Sequence, residues 1–113
     1  MARTPQEIFQ HHVGALSAGD IDEIVADFAD DAVLVMPDRA FRGPSQIRQG
    51  YTKLLGDVPN AEWNVSTDRF EGDVLLLEWT ATSPTSRAVD GVDTFVFGDD
   101  GIRAQTVRYT LVR

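Results

Sequence analysis

ALSAGDIDEIVADFADDAVLVMP, residues 15–37, changes backbone direction twice within one short stretch. A helix arriving from upstream runs into Gly19, the residue type that most readily closes a helix in the left-handed conformation. Asp20 opens a second helix, with Glu23 three residues on as a capping box, and Ile21, Ile24, Val25 and Phe28 on its buried side. DDAVLVMP then reads as a short strand stopped by Pro37. The acidic residues of this stretch, Asp27 among them, read as a solvated helix face.

Upstream, Thr4 caps the first helix, Pro5 is its first residue and Glu7 completes a capping box. Ile8, Phe9, His12, Val13 and Leu16 recur at helical spacing. Downstream, FRGPSQIRQGYTKLLGD (41–57) is a third helix entered through Gly43-Pro44, with Ile47, Tyr51, Leu54 and Leu55 on one side. From residue 61 the period falls to two. AEWNVSTDRF (61–70), VLLLEWTAT (74–82), VDGVDTFVF (89–97) and IRAQTVRYTLV (102–112) are successive strands joined by turn sequences, a pattern predicting an antiparallel meander. Helices followed by strands, with no linker or repeat between, predict one α+β domain over 1–113.

Strand parity carries more. Val89, Gly91, Asp93, Phe95 and Phe97 share one face, and so do Leu75, Leu77, Trp79 and Ala81. The opposite face, with Val74, Leu76, Glu78, Thr80, Val92, Thr94 and Val96, is partly apolar as well. The helices cover one face. A second copy of the chain, forming a homodimer through the outer face, is the expected cover for the other.

Composition bounds the function. The chain has 113 residues, 42% hydrophobic, a net charge of −8 and no cysteine, so disulfide, thiol and cysteine-zinc chemistry are excluded. The pI near 4.5 disfavours nucleic acid and anionic membrane surfaces as partners. An apolar leader and cysteines are both lacking, so the expected location is cytoplasmic. No phosphate-binding glycine loop, HExxH or nucleophile elbow occurs, and no cofactor is expected. His11 and His12 point about 100° apart on a helix and cannot share a metal ion.

What remains is a set of polar groups at inward positions. His12 sits on the apolar face of the first helix and Asp93 lies between strand valines and phenylalanines. Gln105 and Tyr109 share a parity with Val107 on the last strand. One cavity would account for all of them. Its expected walls are Leu34, Met36, Trp63, Leu77, Trp79, Phe95, Val107 and Tyr109, with Tyr51 at the rim.

HHVGALSAGDIDEIVADFADDAVLVMPDRAFRGPSQIRQGY (11–51) resembles the opening of the nuclear transport factor 2-like superfamily, and VDTFVFGDDGI (92–102) its closing hairpin. That superfamily includes the SnoaL-like polyketide cyclases and ketosteroid isomerase. The resemblance implies a cone, a strongly curved antiparallel sheet wrapped around N-terminal helices, with a ligand site in its mouth. Ketosteroid isomerases place a tyrosine where this chain has His12, a base aspartate where it has Met36 and a protonated aspartate where it has Asp93. Only the last is retained, so isomerisation by that route is not expected. Asp38, beyond Pro37, is the substitute base, and no Asp-Arg-Asp set like that of limonene epoxide hydrolase is present.

Two functions follow from this reading. One is proton-transfer chemistry on a hydrophobic carbonyl compound by His12 and Asp93, expected to meet as an ion pair or its single-proton equivalent. The alternative is a non-catalytic domain that holds a hydrophobic small molecule in the same cavity.

Overall fold

The computed structural model describes residues 3–113. Helix α1 (Pro5–Ala18) starts with its box closed on both sides: Thr4 Oγ1 accepts from the Glu7 amide, and Glu7 Oε1 accepts from the Thr4 amide at 2.8 Å. Gly19 ends it at φ 69°, a left-handed conformation that costs glycine little. Helix α2 (Ile21–Ala26) is capped by the Asp20 carboxylate, which accepts from the Glu23 amide. Strand β1 (Phe28–Met36) turns through Pro37 and Asp38 into β2 (Arg39–Arg42), and α3 (Gly43–Asp57) follows. Strands β3 (Glu62–Glu71), β4 (Val74–Thr82), β5 (Arg87–Phe97) and β6 (Ile102–Val112) complete the chain.

The described residues form one curved, unclosed sheet in the order β2-β1-β6-β5-β4-β3. Strands β3 to β6 are the expected antiparallel meander, and β1 joins it by pairing parallel to β6. The helices pack on the concave face, where Ile8, Ile24, Ile47, Leu75, Phe95 and Phe97 are buried. The architecture is the α+β arrangement that the sequence predicts, helices enclosed by a curved sheet.

Local departures have local causes. Helix α2 stops at Ala26, and Phe28 starts β1 because the Asp27 carbonyl accepts the Ile102 amide and draws the chain into the sheet. Phe28 remains buried. Strand β2 has no period-two signal, since Phe41 is its single buried residue. In β5 an extra residue is inserted against both neighbours, between Ala88 and Gly91 relative to β4 and between Val89 and Val92 relative to β6, with Asp90 at φ 55°. This bulge shifts parity, so Ala88 and not Val89 is fully inside. On the outer face Val74 and Leu76 are 44% and 41% exposed.

Asp27 is not part of a solvated face. It is 1% exposed, accepts from Arg3 Nη1 at 2.9 Å and lies 2.7 Å from His11 Nδ1. His11 Nε2 reaches Glu23 at 3.2 Å, so the ring bridges two carboxylates. The hydrogen bond and charge of Asp27 together raise the His11 pKa above 6.5. The folded state therefore holds this proton more tightly than the unfolded chain does. The resulting stabilisation is complete below pH 6.5 and is lost as pH rises through the raised value. Denaturant midpoints measured across this range should fall more steeply for the native chain than for His11→Gln.

Candidate functional site

Residues Phe9, His12, Val13 and Leu16 follow the helical i, i+3, i+4, i+7 pattern, so α1 turns all four toward the sheet. Opposite them stand Trp63 and Val65 of β3, Leu77 and Trp79 of β4, Asp93 and Phe95 of β5 and Gln105 of β6, with Tyr51 and Leu54 of α3 closing the end. These side chains enclose a cavity of about 40 Å³. It accommodates a few water-sized groups at roughly 10–15 Å³ each. Phe9, Val13 and Val65 separate it from an open groove of about 420 Å³ between α1 and β3.

The β5 bulge places the Trp79 indole against Gly91, so tightly that a Cβ at 91 would overlap the ring. In that position Trp79 Nε1 donates to Asp93 Oδ1 at 2.9 Å. Gln105 Nε2 donates to Asp93 Oδ2 at 3.0 Å, and Tyr51 donates its hydroxyl proton to Gln105 Oε1 at 2.6 Å. The Tyr51 oxygen lies 3.1 Å from His12 Nε2. Asp93, Gln105, Tyr51 and His12 thus form one buried hydrogen-bonded chain across the cone.

Burial decides the ionisation of this chain. It raises the Asp93 pKa to about 7, against the opposing hydrogen bonds from Trp79 and Gln105. It lowers the His12 pKa to about 4 and pushes the Tyr51 phenol well above 10. His12 and Asp93 are therefore not an ion pair. Two residues intervene, and desolvation moves each group toward its neutral form.

Of the expected site residues, His12, Tyr51, Trp63, Leu77, Trp79, Asp93, Phe95 and Gln105 line the cavity. Tyr51 is not at the rim; it is 2% exposed and central to the chain. Leu34, Met36 and Val107 are buried behind Tyr51 and Leu54, around a separate interstice. Asp38 is exposed on the turn after β1 and borders a different groove. Tyr109 also borders that groove, where its hydroxyl donates at 2.7 Å to Oδ2 of Asp57, the last residue of α3. Neither the position aligned with the isomerase base nor its substitute reaches the cavity. Phe9, Val13, Leu16, Leu54 and Val65 complete the wall without having been singled out for it. The signals were the helix face of His12, the Leu54 side of the third helix and the strand parity of Trp63. Among the described residues, no three His, Asp or Glu side chains converge as metal ligands would.

Residues 9–105 match the SnoaL-like domain family. The chain belongs to that family. SnoaL-like domains fall within the nuclear transport factor 2-like superfamily, and solved structures agree with that fold. An NTF2-like protein of unknown function from Burkholderia xenovorans is 19% identical, with a TM-score of 0.79 over 94% of this chain and 82% of that one. A candidate ketosteroid isomerase from Kribbella flavida is 16% identical, at TM-score 0.77 over 94% and 77%. A de novo designed protein with a curved β-sheet is 15% identical, at 0.80 over 97% and 88%. No curated protein matches the sequence. Likenesses of this kind carry the fold and leave chemistry to the site.

The hydrogen bond from Gln105 favours the ionised form of Asp93. Replacing it by leucine should therefore raise the Asp93 pKa above about 7, observed as a shift of the ¹³Cγ titration to higher pH.

Proposed function

We propose that this SnoaL-like domain binds a small apolar compound through its carbonyl oxygen, and that Asp93 supplies that oxygen with a proton. One observation carries the reading. Trp79 Nε1 can only donate, and Gln105 points its amide nitrogen at Asp93, so neither neighbour can receive a proton from the carboxyl group. A proton on Asp93 is left for whatever occupies the cavity. The pKa of about 7 suits an acid that must hold and release a proton near neutral pH. The ring faces of Phe9, Trp63, Trp79 and Phe95 suit an apolar body, and the cavity volume favours a compound of few heavy atoms. A longer one would displace the Phe9–Val13–Val65 wall into the adjoining groove.

Binding without catalysis is the second reading. It is favoured by the other titratable groups in the wall, since burial leaves His12 and Tyr51 neutral and His12 a weak base. The two readings separate with 2-butanone in D₂O. In acid-assisted enolisation Asp93 protonates the carbonyl oxygen, a solvent molecule takes the α-proton, and D₂O returns a deuteron to both carbon and carboxyl group. This predicts protein-dependent deuterium exchange of the α-protons, falling as pH rises through about 7 and lost in Asp93→Asn. Binding with no exchange supports the non-catalytic reading; no binding removes both.

The outer sheet face belongs to the same proposal. Val74 and Leu76, 44% and 41% exposed, adjoin the half-buried Val92 and Val96 and suit pairing with a second copy. Light scattering should return twice the 12.5 kDa chain mass, and Leu76→Asp should return the chain mass itself.

A further inference from the structure

The concave face of the sheet is not covered evenly. Val65, Asp68 and Phe70 of β3 pair with Trp79, Leu77 and Leu75 of β4, and the bulge at Ser66 keeps all three facing inward. Those β4 residues are buried, yet Val65 is 41% exposed and Phe70 only half-buried. Helix α1 faces them across the open groove with Gln6, Phe9, Gln10 and Val13, an i, i+3, i+4, i+7 stripe. Phe9 and Val13 belong as well to the stripe that lines the cavity. The Phe9 ring stands edge-on to Phe95 on the cavity side and to Phe70 on the groove side, at 5.8 and 5.9 Å between centroids. One layer of side chains therefore separates the two spaces.

Pockets that enclose small ligands measure roughly 300–1,000 Å³. The cavity, at about 40 Å³, falls far below that range, and the groove, at about 420 Å³, falls within it. The cavity has the polar groups and the groove has the room. We propose that the two form one binding site for an elongated, uncharged ketone, with the carbonyl end in the cavity at Asp93 and the hydrocarbon chain in the α1–β3 groove. The chain passes where the Phe9 ring now stands and covers Val65 and Phe70. The inference rests on the carbonyl-binding reading above and adds the other end of the ligand. Asp68 lies in the groove of a chain with net charge −8, which disfavours a tail ending in a carboxylate.

2-Butanone and 2-nonanone test this directly, because they share the methyl ketone and differ only in chain length. A fully buried methylene is worth about fourfold in affinity and a half-covered one about twofold, so 2-nonanone should bind about thirtyfold more tightly. Filtered NOE spectra of the native protein should connect its terminal methyl group to the Phe70 ring and the Val65 methyls, and its acetyl methyl group to Trp79 and Phe95. Val65→Asp, at an exposed position, should bring the affinity ratio down to about threefold, because a carboxylate beside the chain keeps the groove hydrated. Equal affinities for the two ketones, an unchanged ratio in Val65→Asp, or terminal-methyl contacts at Val74 or Leu76 of the outer face overturn the proposal and leave the carbonyl reading intact. Failure of both ketones to bind overturns the carbonyl reading, and this inference with it.

Discussion

The contact of the Trp79 indole with Gly91 sets the rest of the site. It exists because the bulge at Asp90 gives β5 one residue more than either neighbour requires, and because residue 91 has no side chain to hold the ring away. With the ring seated there, its N–H meets Asp93, and its centroid lies 5.5 Å from that of Trp63 and 5.7 Å from that of Tyr109, tilted against both. The bulge also fixes which β5 residues face inward: Gly91, Asp93, Phe95 and Phe97 do, and Val89 does not. A backbone irregularity thus aims a carboxyl group and its principal donor at the same point.

Within the cone, desolvation outweighs charge pairing. A buried aspartate beside a histidine invites the assumption of an ion pair, but Tyr51 and Gln105 stand between them and satisfy both by neutral hydrogen bonds. The formal charges lie elsewhere. Asp27, at the α2–β1 junction, is the buried carboxylate held by cations, Arg3 on one side and His11 on the other. The two adjacent histidines show the effect of environment on identical side chains. His11 is 41% exposed and binds its proton more tightly than a free imidazole; His12 is enclosed and binds it less.

Much of this was legible in the sequence, and the rest was hidden for definable reasons. Capping residues mark helix ends through local hydrogen bonds, so Thr4, Gly19 and Asp20 could be placed from neighbours alone. Strand parity identified Asp93, Trp79 and Gln105 as inward, because alternation survives as long as no residue is inserted. It failed at Val89, where one is. Helix periodicity put Tyr51 on the inner side of α3 but could not give its depth, which depends on how far the sheet curls over it. Tyr109 and Met36 are inward by parity, yet the sheet carries them past the end of the cavity. Asp27 resembled its solvated neighbours because its partners lie at residues 3 and 11.

Strand order has a consequence for how the molecule is assembled. The last strand in the chain, β6, lies at the middle of the sheet: β1 and β2 flank it on one side, and β5, β4 and β3 on the other. The leading helices with β1 and β2 can form local structure early, and the β3–β5 hairpins can do the same. The sheet joins the two only when residues 102–112 slot between them, pairing Leu34 with Gln105 and Asp93 with Val107. Contacts of such long sequence separation are entropically expensive to close and are associated with slow folding. Gln105 is delivered by that same closure, so the polar chain across the cone is completed in the step that unites the sheet.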